Sequence, residues 1–286
     1  MKKLILLLTV IVSASTAIFA QLGQAKKSDI EKFKDAKLIV VLFADSAYNA
    51  SIEAAVKRFW NFHGNFEFVP DSATKNYSKG DYYFLTFARS KKSLKIKAKL
   101  GASEDDFNGL MVTKKFKKRS RLDEIVAQAF CSNLIDTTDW YPELVRAVQI
   151  LNNYFNYAIQ ANSDKEISAS YMISNFPADL SILNGKRLLI ETGNLSLKGK
   201  EDASQLLGME VEEVDRDEIN KAIITQDPDV VYMYPVVNEK YCDKIFVSAA
   251  GSEVMYYSTG SNSDPCKCTG KDLKSFKSRI DKALKN

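Results

Sequence analysis

The chain has 286 residues, 40 Lys and Arg against 36 Asp and Glu, and a formal charge of +4 at pH 7. With 45% hydrophobic residues and no low-complexity tract, it has apolar material for two small domains or one large one, which excludes a disordered chain. Near-balance overall hides one asymmetry: from Arg89 to Arg121 there are twelve basic and three acidic residues, a local +9.

The first twenty residues have the three-part layout of a secretory signal peptide. Lys2 and Lys3 are followed by an apolar run from Leu4 to Val12, then small residues ending at Ala20. A retained N-terminal anchor is the competing reading. No later stretch approaches the ~20 apolar residues of a membrane span. The expectation is an exported protein, periplasmic or extracellular, that does not span a membrane after cleavage. Export also makes nucleic acid a poor partner. The expected layout is a signal peptide over 1–20, a lead-in over 21–36, a first α/β half over 37–136, a connecting helix over 139–162 and a second α/β half over 184–286.

In the first half, "KLIVVLFAD" is a continuous apolar run from Leu38 to Ala44, as a strand buried on both faces requires. Helical spacing of Ile52, Ala55, Val56 and Trp60 follows. "FEFVP" is a short strand halted by Pro70, and "YYFLTFA" is another. "SLKIKAKL" alternates Leu94, Ile96, Ala98 and Leu100 with Lys95, Lys97 and Lys99, the pattern of a strand with one lysine face. "NGLMVTKK" predicts a further strand, and a helix is expected from about Leu122 to Leu134.

Next, "DWYPELVRAVQILNNYFNYAIQ" is apolar around most of a helical circumference and predicts a buried strut under both halves. In the second half "GKRLLIE" is a strand, "KEDASQLLG" a short helix and "MEVEEV" a strand. Asp215 with Glu218 three residues on predicts a capping box at the start of the following helix. "PDVVYMYPVV" is a buried strand closed by Pro235. "KIFVSAAGSEVMYYSTG" predicts a hairpin turning near Ala250 to Ser252. A basic amphipathic helix carrying Leu273, Phe276 and Ile280 ends the chain.

Both halves thus repeat one element order. The fold class expected is α/β, with α+β as the alternative: two similar thioredoxin-like or Rossmann-like mixed-sheet halves around a central apolar helix. An irregular single α/β domain is the competing architecture.

All four cysteines lie beyond the signal. A hairpin brings the start of its first strand beside the end of its second, so Cys242 is expected to bond either Cys266 or Cys268. Cys131, on the expected helix "EIVAQAFCSNLI", suits a buried free thiol, with a bond to the leftover cysteine as the open alternative. A Cys266–Cys268 exchanging pair is the redox alternative, though no cysteine starts the first helix of either half, where thioredoxin chemistry needs one. Zinc is disfavoured, since His63 is the one histidine and Cys-x-Cys lacks the usual ligand spacing.

His63 ends the first helix before Gly64, where capping and the helix dipole explain a histidine. No nucleophile elbow, phosphate loop, dinucleotide fingerprint or metalloprotease helix is present. The carboxylates Glu212 and Glu213 have no visible partners, and a hydrolase built from distant acids leaves no motif. No catalytic residues, cofactor or metal are assigned.

The basic segment is the strongest candidate: Lys95, Lys97 and Lys99 on one strand, then Lys114, Lys115, Lys117, Lys118, Arg119 and Arg121 around Phe116. Lysines on an edge strand also discourage sheet-to-sheet aggregation. Read as a site, they face an anionic partner: an acidic glycan, a lipid headgroup or an acidic protein surface.

The Gln-first mature end, "KLIVVLFADSAYNASIEAAVKRFW" and "NGKRLLIETGNL" with "DRDEINKAIITQDPDVVYMYPV" resemble secreted Bacteroidota proteins of uncharacterised function. The resemblance implies compartment and lineage and carries no catalytic residues over.

Overall fold

A computed structural model describes residues 25–88, 109–116, 125–131, 140–167, 183, 185–196, 200–237, 241–261 and 266–283. The lead-in forms helix α1, Lys27–Asp35. The first half then runs β1 (Lys37–Leu42), α2 (Ser46–Phe59), β2 (Phe66–Pro70), a 3-10 helix (Asp71–Tyr77), β3 (Tyr82–Ala88), β4 (Gly109–Thr113) and β5 (Ile125–Phe130). Helix α3, Tyr141–Gln160, follows. The second half runs β6 (Arg187–Glu191), β7 (Leu195–Ser196), α4 (Lys200–Leu207), β8 (Glu210–Val214) and α5 (Arg216–Thr225). It closes with β9 (Val230–Val237), β10 (Tyr241–Ser248), β11 (Val254–Ser261), β12 (Cys268–Thr269) and α6 (Gly270–Ala283).

The two five-stranded sheets share one topology. The first has the order β2-β1-β3-β4-β5 and the second β8-β6-β9-β10-β11. Numbered within its own sheet, each is 2-1-3-4-5. In both, the first strand pairs in parallel with the second and third, and the last two strands add antiparallel. Three parallel strands in the order 2-1-3 are the Rossmann-like arrangement of a doubly wound sheet.

Burial explains the apolar runs. Leu38 and Val40 face the main core while Ile39 and Val41 face a smaller cluster with Val69 and Phe84. In the second sheet Leu189, Tyr232 and Tyr234 join the main core, and Leu188, Ile190, Val231 and Met233 turn to a separate core under α4 and α6. Helices α2 and α3 therefore fill the space between the sheets, with α1 and α5 at its margins. Helix α3 is the expected strut, and Val148, Leu151 and Phe155 on it are fully buried. Its buried surface is less apolar than the sequence suggests, since Glu143, Arg146, Gln149 and Asn152 are buried with them.

Four expectations are corrected. Residues 125–130 form strand β5, not part of a helix, and Cys131 follows that strand. A six-residue apolar run fits either element, and antiparallel pairing with β4 decides it here. Pro235 does not close β9, which continues to Val237 and pairs Pro235 with Lys244. Its pairing with β6 ends at Tyr232, so Pro235 sits where one side of the strand needs no N–H donor. Asp215 occupies the N-cap of α5 without a side-chain cap bond, while Glu218 lies 3.8 Å from Arg187. Finally, α2 ends at Phe59 with Trp60 as its C-cap, so His63 lies beyond the helix and does not cap it. The lysine-faced strand expected at 94–100 lies outside the described residues.

Candidate functional site

Of the basic candidates, Lys114 and Lys115 are described, just after β4; Lys95, Lys97, Lys99, Lys117, Lys118, Arg119 and Arg121 lie outside the described residues. Lys114 makes an internal pair, its Nζ 2.8 Å from Oδ1 of Asp29 on α1. Burial works against the Asp29 charge, but the bond and charge of Lys114, with the Lys26 backbone and the Lys32 charge, together outweigh it and hold the carboxyl below its usual range. Topology divides the basic segment. In chain order Lys95, Lys97 and Lys99 fall between β3 and β4, and Lys117 to Arg121 between β4 and β5. From Gly109, beside Ala88, to Thr113, beside Ile125, β4 runs about 14 Å.

The cysteines divide as the hairpin predicts. Strands β10 and β11 pair Cys242 with Gly260, and Cys242 is bonded to Cys266 with 5.4 Å between Cα atoms. Cys131 and Cys268 are buried thiols. Burial, with the Asp272 carboxylate adding to it, pushes the Cys268 thiol up to about 12; burial does the same to Cys131. Neither is primed for exchange. Beside Cys268, Asp272 anchors the start of α6. It accepts from Thr269 Oγ1 at 2.6 Å, Ser258 Oγ at 3.0 Å and Lys244 Nζ at 2.7 Å. Burial works against the Asp272 charge, but the bonds from Lys244 and Thr269 together outweigh it and lower its pKa.

A third cluster escaped the sequence reading. Glu143 and Arg146, one turn apart on α3, meet the second sheet at the carboxyl ends of its parallel strands. Tyr234 on β9 donates to Glu143 Oε2 at 2.6 Å, and Arg216, the first residue of α5, bonds Oε1. Arg216 also lies 3.5 Å from Glu191 at the end of β6. Arg146, 1% exposed, donates to the Phe130 carbonyl and stacks with its guanidinium carbon 3.7 Å from the Tyr234 ring centre. Burial pushes the Tyr234 hydroxyl well above its usual range, so it stays a donor. The one sequence signal was a Glu and an Arg three apart in a helix otherwise patterned for burial. In doubly wound sheets, ligands lodge at this end of the strands. Here α3 fills the place with its own carboxylate, and two guanidiniums balance two carboxylates. The arrangement suits a strut joining the halves better than a ligand seat.

The remaining candidates are structural. Glu212 pairs with Arg187 at 3.2 Å, and Glu213 accepts from Gly193 N at 3.2 Å. Among the described residues no group of three or more His, Cys, Asp and Glu is gathered for a metal, and no helix is long and apolar enough to cross a membrane.

Fold and cluster together define an α/β protein of two topologically equivalent mixed sheets, stapled by one disulfide and braced by a shared helix. Compared with protein-family models, curated proteins and solved structures, the chain finds no match.

Proposed function

We propose that the chain is an exported, non-enzymatic binding or structural protein that presents basic connections of its first sheet to an anionic partner. The observation that carries this reading is the charge density of the two connections flanking β4: twelve cations against three acids from Arg89 to Arg121. Export is read from the leader-like first twenty residues, and the disulfide is compatible with it. Because the strand ends that bracket these two segments, Ala88 with Gly109 and Thr113 with Ile125, lie at opposite ends of β4, an extended polyanion such as an acidic glycan fits better than a compact headgroup. Counterion release from such a chain makes the binding steeply salt-dependent.

The test is retention on a heparin-type resin of three proteins: the mature chain, a Lys95/Lys97/Lys99→Glu variant and a Lys117/Lys118/Arg119/Arg121→Glu variant. The reading predicts elution of the parent well above physiological salt and earlier elution of both variants. Elution of the parent at trivial salt, or unchanged elution of both variants, overturns it. A thiol-exchange role through Cys266 and Cys268 gains nothing from a buried Cys268 thiol and a Cys266 already bonded to Cys242.

A further inference from the structure

We propose that His63 is an acid-sensitive latch on helix α1: its protonation loosens the aromatic corner that fastens α1 to α2 and α3. This device is independent of polyanion binding.

Phe33 of α1 is fully buried and is the centre of that corner. Its ring lies 4.7 Å from Tyr83, 4.8 Å from Phe155 on α3, 4.9 Å from His63 and 5.5 Å from Phe62, centre to centre. His63 meets Phe33 nearly perpendicular, at 84°, and also touches Trp60 and Phe62. Both imidazole nitrogens are buried without a hydrogen-bond partner. A neutral ring tolerates that at modest cost; an imidazolium there has two donors and no acceptor.

Among the described residues no neighbouring charge compensates. On α1 the flanking Glu31, Lys32, Lys34 and Asp35 are exposed, and Asp29 is engaged with Lys114. On α2 the last-turn Lys57 reaches Glu53 and Phe68, and Arg58 lies over Phe59. The end of α3 that packs here, from Gln149 to Gln160, has no charged residue, and its Asn152 and Asn156 amides are turned to Asn61. Tyr83 donates to the Asp29 carbonyl at 3.3 Å, and burial raises its pKa, so it remains neutral. Burial is correspondingly the one cause that lowers the His63 pKa from 6.5.

The sign follows. With a folded value below 6.5, the opened state binds the proton more tightly, so acid favours opening. The latch is closed above pH 6.5 and weakens as pH falls through the interval between the opened and folded values.

The chain has a single histidine, so its ring protons give one titrating signal by NMR without assignment. Alongside, hydrogen exchange of the Ile30 and Phe33 amides, corrected for intrinsic rates, reads the attachment of α1. The expected result is a His63 pKa below 6.5 and α1 protection that drops on going from pH 7.5 to 5, by about tenfold per unit of depression. That drop should vanish in His63→Phe, which keeps a ring in the corner, or in His63→Gln should the first variant not fold. A pKa at or above 6.5, or α1 protection that changes equally with and without His63, overturns the latch.

Discussion

Glu143 is gripped by three donors from the connecting helix and the second half: Arg146 on its own helix, and Arg216 and Tyr234 across the interface. Cutting it to alanine leaves Arg146 charged in the interior with its main counter-charge gone. Breaking a buried pair in this way typically costs ~3–5 kcal/mol, far more than the intact pair contributes. We predict a loss in that range for Glu143→Ala in urea denaturation. Arg216→Ala, whose side chain is 28% exposed, should cost clearly less because water can replace it. Asp272 gives a pH prediction. Its folded pKa is lowered from 3.8, so its contribution is complete above that value and is lost as pH falls through the folded value. Urea midpoints between pH 6 and 3 should therefore fall more steeply for the parent than for Asp272→Asn. Position 143 also shows the limit of reading residues from sequence. Glu and Arg three apart look like an exposed helical pair, and only the opposing sheet makes them buried.

Elements were legible where their periodicity was unambiguous, as in β1, α2, α3 and the β10–β11 hairpin. They were lost where a short apolar run suits two states, as at 125–130, whose strand identity comes from β4 alongside it. Gly109 shows how close that pairing is. A Cβ there meets the Ala129 carbonyl oxygen at 2.8 Å, so Gly109→Ala must push β5 away from β4. Overpacking of this kind costs about 1–3 kcal/mol, readable as a lowered midpoint in thermal or urea melts. The hairpin tip is a second case. The turn was expected at Ala250 to Ser252, and Gly251 and Ser252 do have φ of 78° and 52°. What the sequence did not disclose is that Ser252 at the tip is buried. Ser252 Oγ donates to Gln149 at 2.7 Å, and the Gly251 carbonyl accepts from Asn153 at 2.7 Å, tying the tip to α3.

Over the whole molecule, the repeated element order was visible in the sequence and the shared 2-1-3-4-5 topology bears it out, because buried parallel strands write themselves as apolar runs. The candidate site was less legible. Charge density marks the basic segment, but sequence distance conceals that β4 separates its two parts. The staple belongs to this scale too. The Cys242–Cys266 bond closes a loop with a sequence separation of 24, and Cys242→Ser should cost ~3 kcal/mol in non-reducing denaturation if chain entropy dominates. Peptide mapping of the parent should recover Cys242 bonded to Cys266, with Cys268 alkylated only after unfolding.

Polyanion binding is tested most directly by the affinity of the mature protein for a sulfated oligosaccharide, measured by calorimetry over a series of salt concentrations. Binding should weaken steeply with salt, with a shallower slope when Lys95, Lys97 and Lys99 are reversed to Glu. Undetectable binding at low salt, or an affinity indifferent to both salt and those three substitutions, would contradict it.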